Sequence, residues 1–155
     1  IQGDEPMVNP KMIEMAINPL LYDNKVVISN LMSELKTIKE RNDPNEVKVV
    51  IDKNNNALYF SREPIPSRKK YDKIFPMLKQ VCIIPFTRQC LIDYTKLEPT
   101  PLEIIESVDM NRLLEHGIKI KMVSTSFESY AVDTQEDLLL VSEIIKDDEL
   151  LNTYI

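Results

Sequence analysis

Between Val47 and Arg62 the chain spells out two strands and their connection, and this stretch limits the possible architecture more than any other. Val47, Val49 and Ile51 alternate with Lys48, Val50 and Asp52. The polar run Lys53-Asn54-Asn55-Asn56 follows, and Ala57 to Arg62 reads as the return strand. Period-two alternation around a polar turn is the pattern of an antiparallel hairpin. Two equally clear helix starts stand downstream. Thr100-Pro101-Leu102-Glu103 supplies an N-cap, a proline at the first helical position and the acid of a capping box, and Thr134 to Asp137 repeats the cap and acid. Strands and helices interleaved over 155 residues predict an α/β class in one domain, residues 1–155.

The remaining segments fit that frame. Residues 10–21 predict a short helix with Met12, Ile13, Met15, Ala16 and Ile17 as its apolar surface and Pro19 limiting its length. Val26 to Leu35 reads as strand then helix, Asn42-Asp43-Pro44-Asn45 as a turn, and Val81 to Phe86 as an apolar strand broken at Pro85. Residues 63–77, with Pro64, Pro66, Pro76 and the cluster Arg68-Lys69-Lys70, predict an irregular excursion, and 88–95 a short helix. The helix opened by Thr100 is expected to run to Glu115 or His116 and to stop at Gly117 in a left-handed conformation. Lys119 to Val123 reads as a strand, 135–146 as a final helix, and 147–155 as a fraying tail.

A net charge of −6 argues against nucleic acid as a partner, because no basic field is available to displace counterions from phosphates. It leaves room for a small anion, which needs only a few local cations. The two cysteines, Cys82 and Cys90, belong to no metal-binding or CxxC pattern and read as reduced thiols of a cytoplasmic protein. No apolar run reaches the roughly 18 residues of a membrane span. A single histidine, His116, leaves a histidine-based triad or a zinc site without parts, and two glycines, Gly3 and Gly117, cannot make a glycine-rich phosphate loop.

Acidic residues are where the chemistry concentrates. Gln2-Gly3-Asp4-Glu5-Pro6 reads as a tight turn in which Gly3 is free to take positive φ, placing two carboxylates at the mouth of a strand expected to precede it. An ordinary acidic turn and a seat for Mg²⁺ both fit these residues. Asp133 stands just outside the last helix, and paired in space with Asp4 it would make a two-carboxylate Mg²⁺ site. On a helical wheel for 102–115, Glu106 and Asp109 fall beside Leu102 and Leu113. They read either as wet rim groups or as acceptors lining a polar pocket. Arg62, at the end of its strand, suits a carboxylate or phosphate as well as it suits a structural ion pair.

Taken in order, Gln2-Gly3-Asp4-Glu5-Pro6, Pro44 to Val50, Ala57 to Arg62, Pro99-Thr100-Pro101-Leu102-Glu103 and Val132 to Leu138 resemble the motifs of the 3-deoxy-manno-octulosonate cytidylyltransferases, or CMP-KDO synthetases. The resemblance implies a Rossmann-like nucleotidyltransferase sandwich, a mixed sheet with flanking helices, whose N-terminal CTP-gripping part is missing from the motif order. It implies transfer of CMP from CTP to a 2-keto-3-deoxy sugar acid with loss of pyrophosphate, for cell-surface polysaccharide. By the same resemblance Asp4 and Asp133 would hold Mg²⁺ as the catalytic pair. Gln2, Arg62, Gln80, Glu106 and Asp109 would face the sugar acid, and residues 63–95 would form a homodimer contact. Gln80, Ile84 and Met110 depart from the family's sugar pocket, which points to KDO or a related ulosonic or amino-sugar acid. A non-catalytic module that binds a sugar acid or dimerises is the alternative.

Overall fold

The computed structural model describes residues 1–70, 75–128, 130–148, 150 and 151. Its elements, in chain order, are α1 (Pro10–Tyr22), β1 (Ser29–Glu34), α2 (Ile38–Asn42), β2 (Lys48–Ile51), β3 (Ala57–Ser61), β4 (Leu78–Val81), α3 (Arg88–Tyr94), α4 (Pro101–Glu106), α5 (Met110–Glu115), β5 (Lys121–Ser124) and α6 (Gln135–Ile144). A short 3-10 turn, Ile145–Asp147, follows the last helix.

The five strands form one mixed sheet in the order β3-β2-β4-β1-β5. Only β1 and β5 run parallel; β1–β4, β2–β4 and β2–β3 are antiparallel. Because side chains alternate across a strand, β1 feeds two cores. Leu31 packs with Met12, Ala16, Val81 and Ile83 beneath α1, while Met32 joins Val49, Phe60, Met110, Leu113 and Met122 on the opposite face. The result is helix, sheet and helix in three layers, the α/β sandwich expected from the sequence.

Local chemistry explains most boundaries. Asn9 caps α1 by accepting from the Lys11 N–H at 3.0 Å, and Pro10 occupies the first turn, where its missing N–H costs nothing. The helix passes through Pro19 for one more turn and closes with Asp23 N–H on the Pro19 carbonyl at 3.1 Å. Thr37 and Thr134 each form a reciprocal capping box, with Glu40 and Asp137 respectively. Gly117 takes φ 75° after α5, the left-handed stop expected of it.

Four expectations need correction. No helix completes the 26–35 segment; β1 ends at Glu34, and α2 begins only after the Thr37 cap. The strand placed at 81–86 lies earlier, at Leu78–Val81. Beyond it the Ile83 and Pro85 carbonyls accept from Leu31 and Ser29 N–H at 3.2 Å each, while Ile83 N–H turns back to Val81 at 2.7 Å and interrupts the ladder. Gly3 sits in its turn without using a left-handed φ. Most consequentially, the helix foreseen over 102–115 is two helices. Ser107 adopts φ 52°, ψ 48° and ends α4, so a single wheel over this segment does not describe which residues share a face. Part of the 63–77 excursion, residues 71–74, and the tail at 152–155 lie outside the described residues.

Candidate functional site

The break at Ser107 arises from competing demands on its neighbours. Val108 is buried, 4% exposed, in the same core as Met110 and Leu113. Glu106, three residues before Asp109, is drawn the other way, towards β3. Its carboxylate accepts from Tyr59 Oη at 2.7 Å, Ser61 Oγ at 2.9 Å and Arg62 N–H at 2.9 Å. Burial opposes its charge, but these bonds outweigh burial and hold its pKa below the ordinary carboxylate range. The same bond pushes the Tyr59 hydroxyl up to about 12.

Arg62 completes the joint. Its Nε donates to the Glu106 carbonyl at 2.9 Å and Nη2 to the Ser107 carbonyl at 3.1 Å, while Nη1 reaches Pro44 O at 2.7 Å. The last carbonyls of a helix have no partner within it, and here an arginine from the neighbouring strand supplies them. On the far side Arg112 grips Glu103 with two bonds, 2.7 and 2.5 Å, and stacks over Tyr94 at 4.8 Å. Buried Asn111 pairs with the Phe60 backbone through both its amide groups. α4 and α5 are thus bolted to β3 by side chains.

From this joint, Arg62, Ser107, Val108 and Asp109 contribute one wall of a cavity of about 270 Å³. Asp4, Asp133, Gln2, Arg62, Gln80 and Asp109 all line it, so the structure brings together six of the seven site residues read from the sequence. Glu106 is not among the lining residues; its carboxylate serves the β3–α4 joint instead. Arg62 contributes to the wall, but its guanidinium is committed to three backbone carbonyls. The two ends of the chain meet here through one bond, Val132 N–H to the Asp4 carbonyl at 2.9 Å.

The cavity is acidic and underneutralised. Asp4, Glu5, Glu46, Asp109 and Asp133 line it, with Arg62 as the one basic side chain among the described lining residues. Lys79 approaches from outside to pair with Glu46 at 2.9 Å. Burial raises the pKa of Glu5, with Asp4 and Glu46 adding repulsion that Lys79 partly offsets. Burial likewise raises Asp109. Cys82 on the same wall is pushed up to about 12, first by burial and then by Glu5, Asp4 and Asp109, so its thiol stays protonated. Both cysteines are free.

Asp4 Oδ1 is buried with no hydrogen-bond partner, a costly state for a carboxylate oxygen. Among the described residues no group of three or more His, Cys, Asp or Glu is arranged to hold an ion. Mg²⁺ does not need one: it commonly takes one or two carboxylates and completes its octahedron with phosphate oxygens and water. The hard, unpartnered oxygen of Asp4 and the carboxylate of Asp133 in the same cavity fit that requirement.

Sequence reasoning missed two supports. Lys48, assigned to the outward face by alternation, is fully buried. Its Nζ donates to the carbonyls of Asp43, Glu46 and Arg62 at 2.6–2.7 Å, tying together the loop and strand end that frame the cavity. Asn30, also fully buried on β1, reaches Gln80. The one signal in the sequence was a polar residue inside an apolar run.

Comparison with known proteins converges on one family. The cytidylyltransferase family model matches residues 1–120. A 3-deoxy-manno-octulosonate cytidylyltransferase of Geotalea daltonii is 40% identical, covering 95% of this chain and 62% of the relative. One of Fusobacterium nucleatum is 40% identical over 97% of this chain and 61% of its own length. The solved structure of CMP:2-keto-3-deoxy-manno-octonic acid synthetase complexed with CTP superposes with a TM-score of 0.86 at 32% identity, over 94% of this chain and 60% of the other. The chain therefore spans about three-fifths of the length of these relatives. With the mixed sheet, the ordered motifs and the family model in agreement, the chain belongs to the cytidylyltransferases.

Proposed function

We propose that the protein of which this chain is a part transfers CMP from CTP to the anomeric hydroxyl of a 2-keto-3-deoxy sugar acid, KDO or a close relative, releasing pyrophosphate. The product would serve cell-surface polysaccharide such as lipopolysaccharide or capsule, made in the cytoplasm. One observation carries the reading: Asp4 and Asp133, from opposite ends of the chain, line one cavity with Gln2, Gln80 and Asp109, and Asp4 keeps a buried oxygen unpartnered.

The residues suit direct displacement at phosphorus. Neither Cys82, whose thiol is protonated at neutral pH, nor His116, at the end of α5 and outside the lining, offers a nucleophile here, and Ser107 lines the cavity without a histidine beside it in the lining to activate it. Catalysis then rests on positioning and charge stabilisation. Asp4 and Asp133 would hold Mg²⁺, which supplies neutralisation of triphosphate charge that this acidic wall cannot offer by itself. Asp109, made more basic by burial, would accept a hydrogen bond from a sugar hydroxyl, and Gln2 lines the same space. Arg62 would act through its grip on Ser107 and Glu106, which fixes the wall from which Asp109 projects. Segment 63–95 would contribute the contact of a homodimer. Among the described residues no helix is long and apolar enough to cross a membrane.

The test is pyrophosphate release by the natural full-length protein with CTP, Mg²⁺ and a panel of 2-keto-3-deoxy acids. Turnover is expected only with all three components. Silence across the whole panel would remove the proposal, leaving a sugar-acid-binding module without catalysis.

A further inference from the structure

Gln80 carries a carboxamide, which can present either a donor or an acceptor, and its neighbours decide which. Asn30, fully buried on β1, donates through Nδ2 to the Val81 carbonyl at 2.7 Å and the Leu31 carbonyl at 3.0 Å, with Ile83 O at 3.5 Å. Carbonyls only accept, so the reverse orientation would set oxygen against oxygen at a fully buried position. Asn30 Oδ1 must therefore face the other way, and a buried acceptor needs a donor. Gln80 Nε2 provides it at 2.7 Å. Once the amide nitrogen of Gln80 is used in this way, its Oε1 is left for the cavity that Gln80 lines.

We propose that Asn30 is a positioning residue that fixes the Gln80 carboxamide with Nε2 turned inward and Oε1 as its acceptor for the cavity, so that this wall selects a sugar acid presenting a hydrogen-bond donor, a hydroxyl or an amine, to Gln80 Oε1. The inference rests on the cytidyl-transfer reading and names what the sugar side of that site recognises. The rest of the lining points the same way. Asp4, Glu5 and Asp109 are acceptors when ionised, and Arg62, the cation among them, is spent on backbone carbonyls. Beside the amides of Gln2 and Asn45 and the Ser107 hydroxyl, this acidic lining favours donors on the ligand. A bare methyl or methylene at that position would leave Gln80 Oε1 desolvated and unpaired.

The experiment is a chemical double-mutant comparison on the full-length protein. KDO and analogues in which each hydroxyl in turn is replaced by hydrogen or by an amine are assayed with wild type and with Gln80→Met. In wild type one deoxy analogue is expected to lose about 5–10-fold in kcat/KM, with the amine at that position retained or preferred. In Gln80→Met that penalty is expected to vanish, with KM for the acid raised by a similar factor and KM for CTP unchanged. Asn30→Ser, which frees the Gln80 amide to turn, is expected to blunt the same discrimination. Should Asn30→Ser fail to fold, Gln80→Met decides alone. An unchanged deoxy penalty in Gln80→Met, or equal changes in both KM values, overturns the inference while leaving cytidyl transfer standing. Wild type inactive on every acid removes the cytidyl-transfer reading instead. Side-chain amide NMR then judges the lock by itself: slow exchange of a Gln80 Nε2 proton supports it, and free exchange overturns it.

Discussion

Two groups of carboxylates lie on either side of the α4–α5 joint and are treated in opposite ways. Glu103 and Glu106, on α4, are saturated: Arg112 holds the first, and Tyr59, Ser61 and the Arg62 amide hold the second, with both pKa values lowered. Glu5, half-buried, and Asp109, at the surface of the cavity, lack comparable side-chain donors, and desolvation raises both pKa values. An acid that has all its partners inside the protein is part of the scaffold. An acid that the fold partly desolvates and leaves short of side-chain partners is held ready for something from outside. Sequence spacing alone does not distinguish the two, since Glu106 and Asp109 are three residues apart.

That contrast is most sharply broken by removing the carboxylates assigned to Mg²⁺. Asp4→Asn and Asp133→Asn in the full-length protein are expected to lower kcat by about 100- to 1,000-fold, the scale of losing one preorganised electrostatic contact, with Tm nearly unchanged. Wild-type turnover at limiting Mg²⁺ in either variant would put both residues with the scaffold. Next in size, Glu106→Gln is expected to cost about 2 kcal/mol of stability, because a carboxylate accepting three bonds is exchanged for an amide that must turn a donor towards other donors. Denaturant unfolding measures this. Since the folded pKa of Glu106 is lowered, its contribution is present above the ordinary carboxylate pKa and is lost as pH falls through the lowered value. The wild-type and variant curves should therefore converge in acid.

The smallest effect carries the opposite sign. Glu5→Gln and Asp109→Asn are expected to raise Tm at pH 7 in the absence of divalent cations. A carboxyl whose folded pKa is raised stabilises only in its protonated form, and that benefit disappears as pH climbs through the folded value, so at neutrality the charge is a burden. The gain should vanish below pH 4, where both states are protonated. A Tm that falls at pH 7 would show that these two acids have structural partners after all.

The sequence announced the hairpin because period-two alternation and a polar turn are local signals. It announced the starts of α4 and α6 because a capping box is written within four residues. It put Asp4 and Asp133 among the site residues through the ordered motifs, and the fold sets both on one cavity. What it concealed is tertiary. Ser107 has no intrinsic preference for a left-handed conformation; the pull of Val108 into the core and of Glu106 onto β3 imposes it. Lys48 follows the alternation of an exposed position and is nonetheless buried, because three carbonyls from distant segments surround its ammonium group. Burial works against that charge and lowers its pKa, while the carbonyls stabilise it. Asn30 disappears in an apolar run because its partners, at 80, 81 and 83, arrive from another strand.

The hydrogen bond from Val132 to the Asp4 carbonyl sets an order of events. The residues of the hairpin and of both cores lie between Asp4 and Asp133, so a ribosome delivers them before the two acids can meet. An ion shared by these two acids, as proposed, would therefore arrive too late to guide the early steps of folding. A nascent protein stalled before Val132 would expose Asp4 without the neighbour that its carbonyl accepts from.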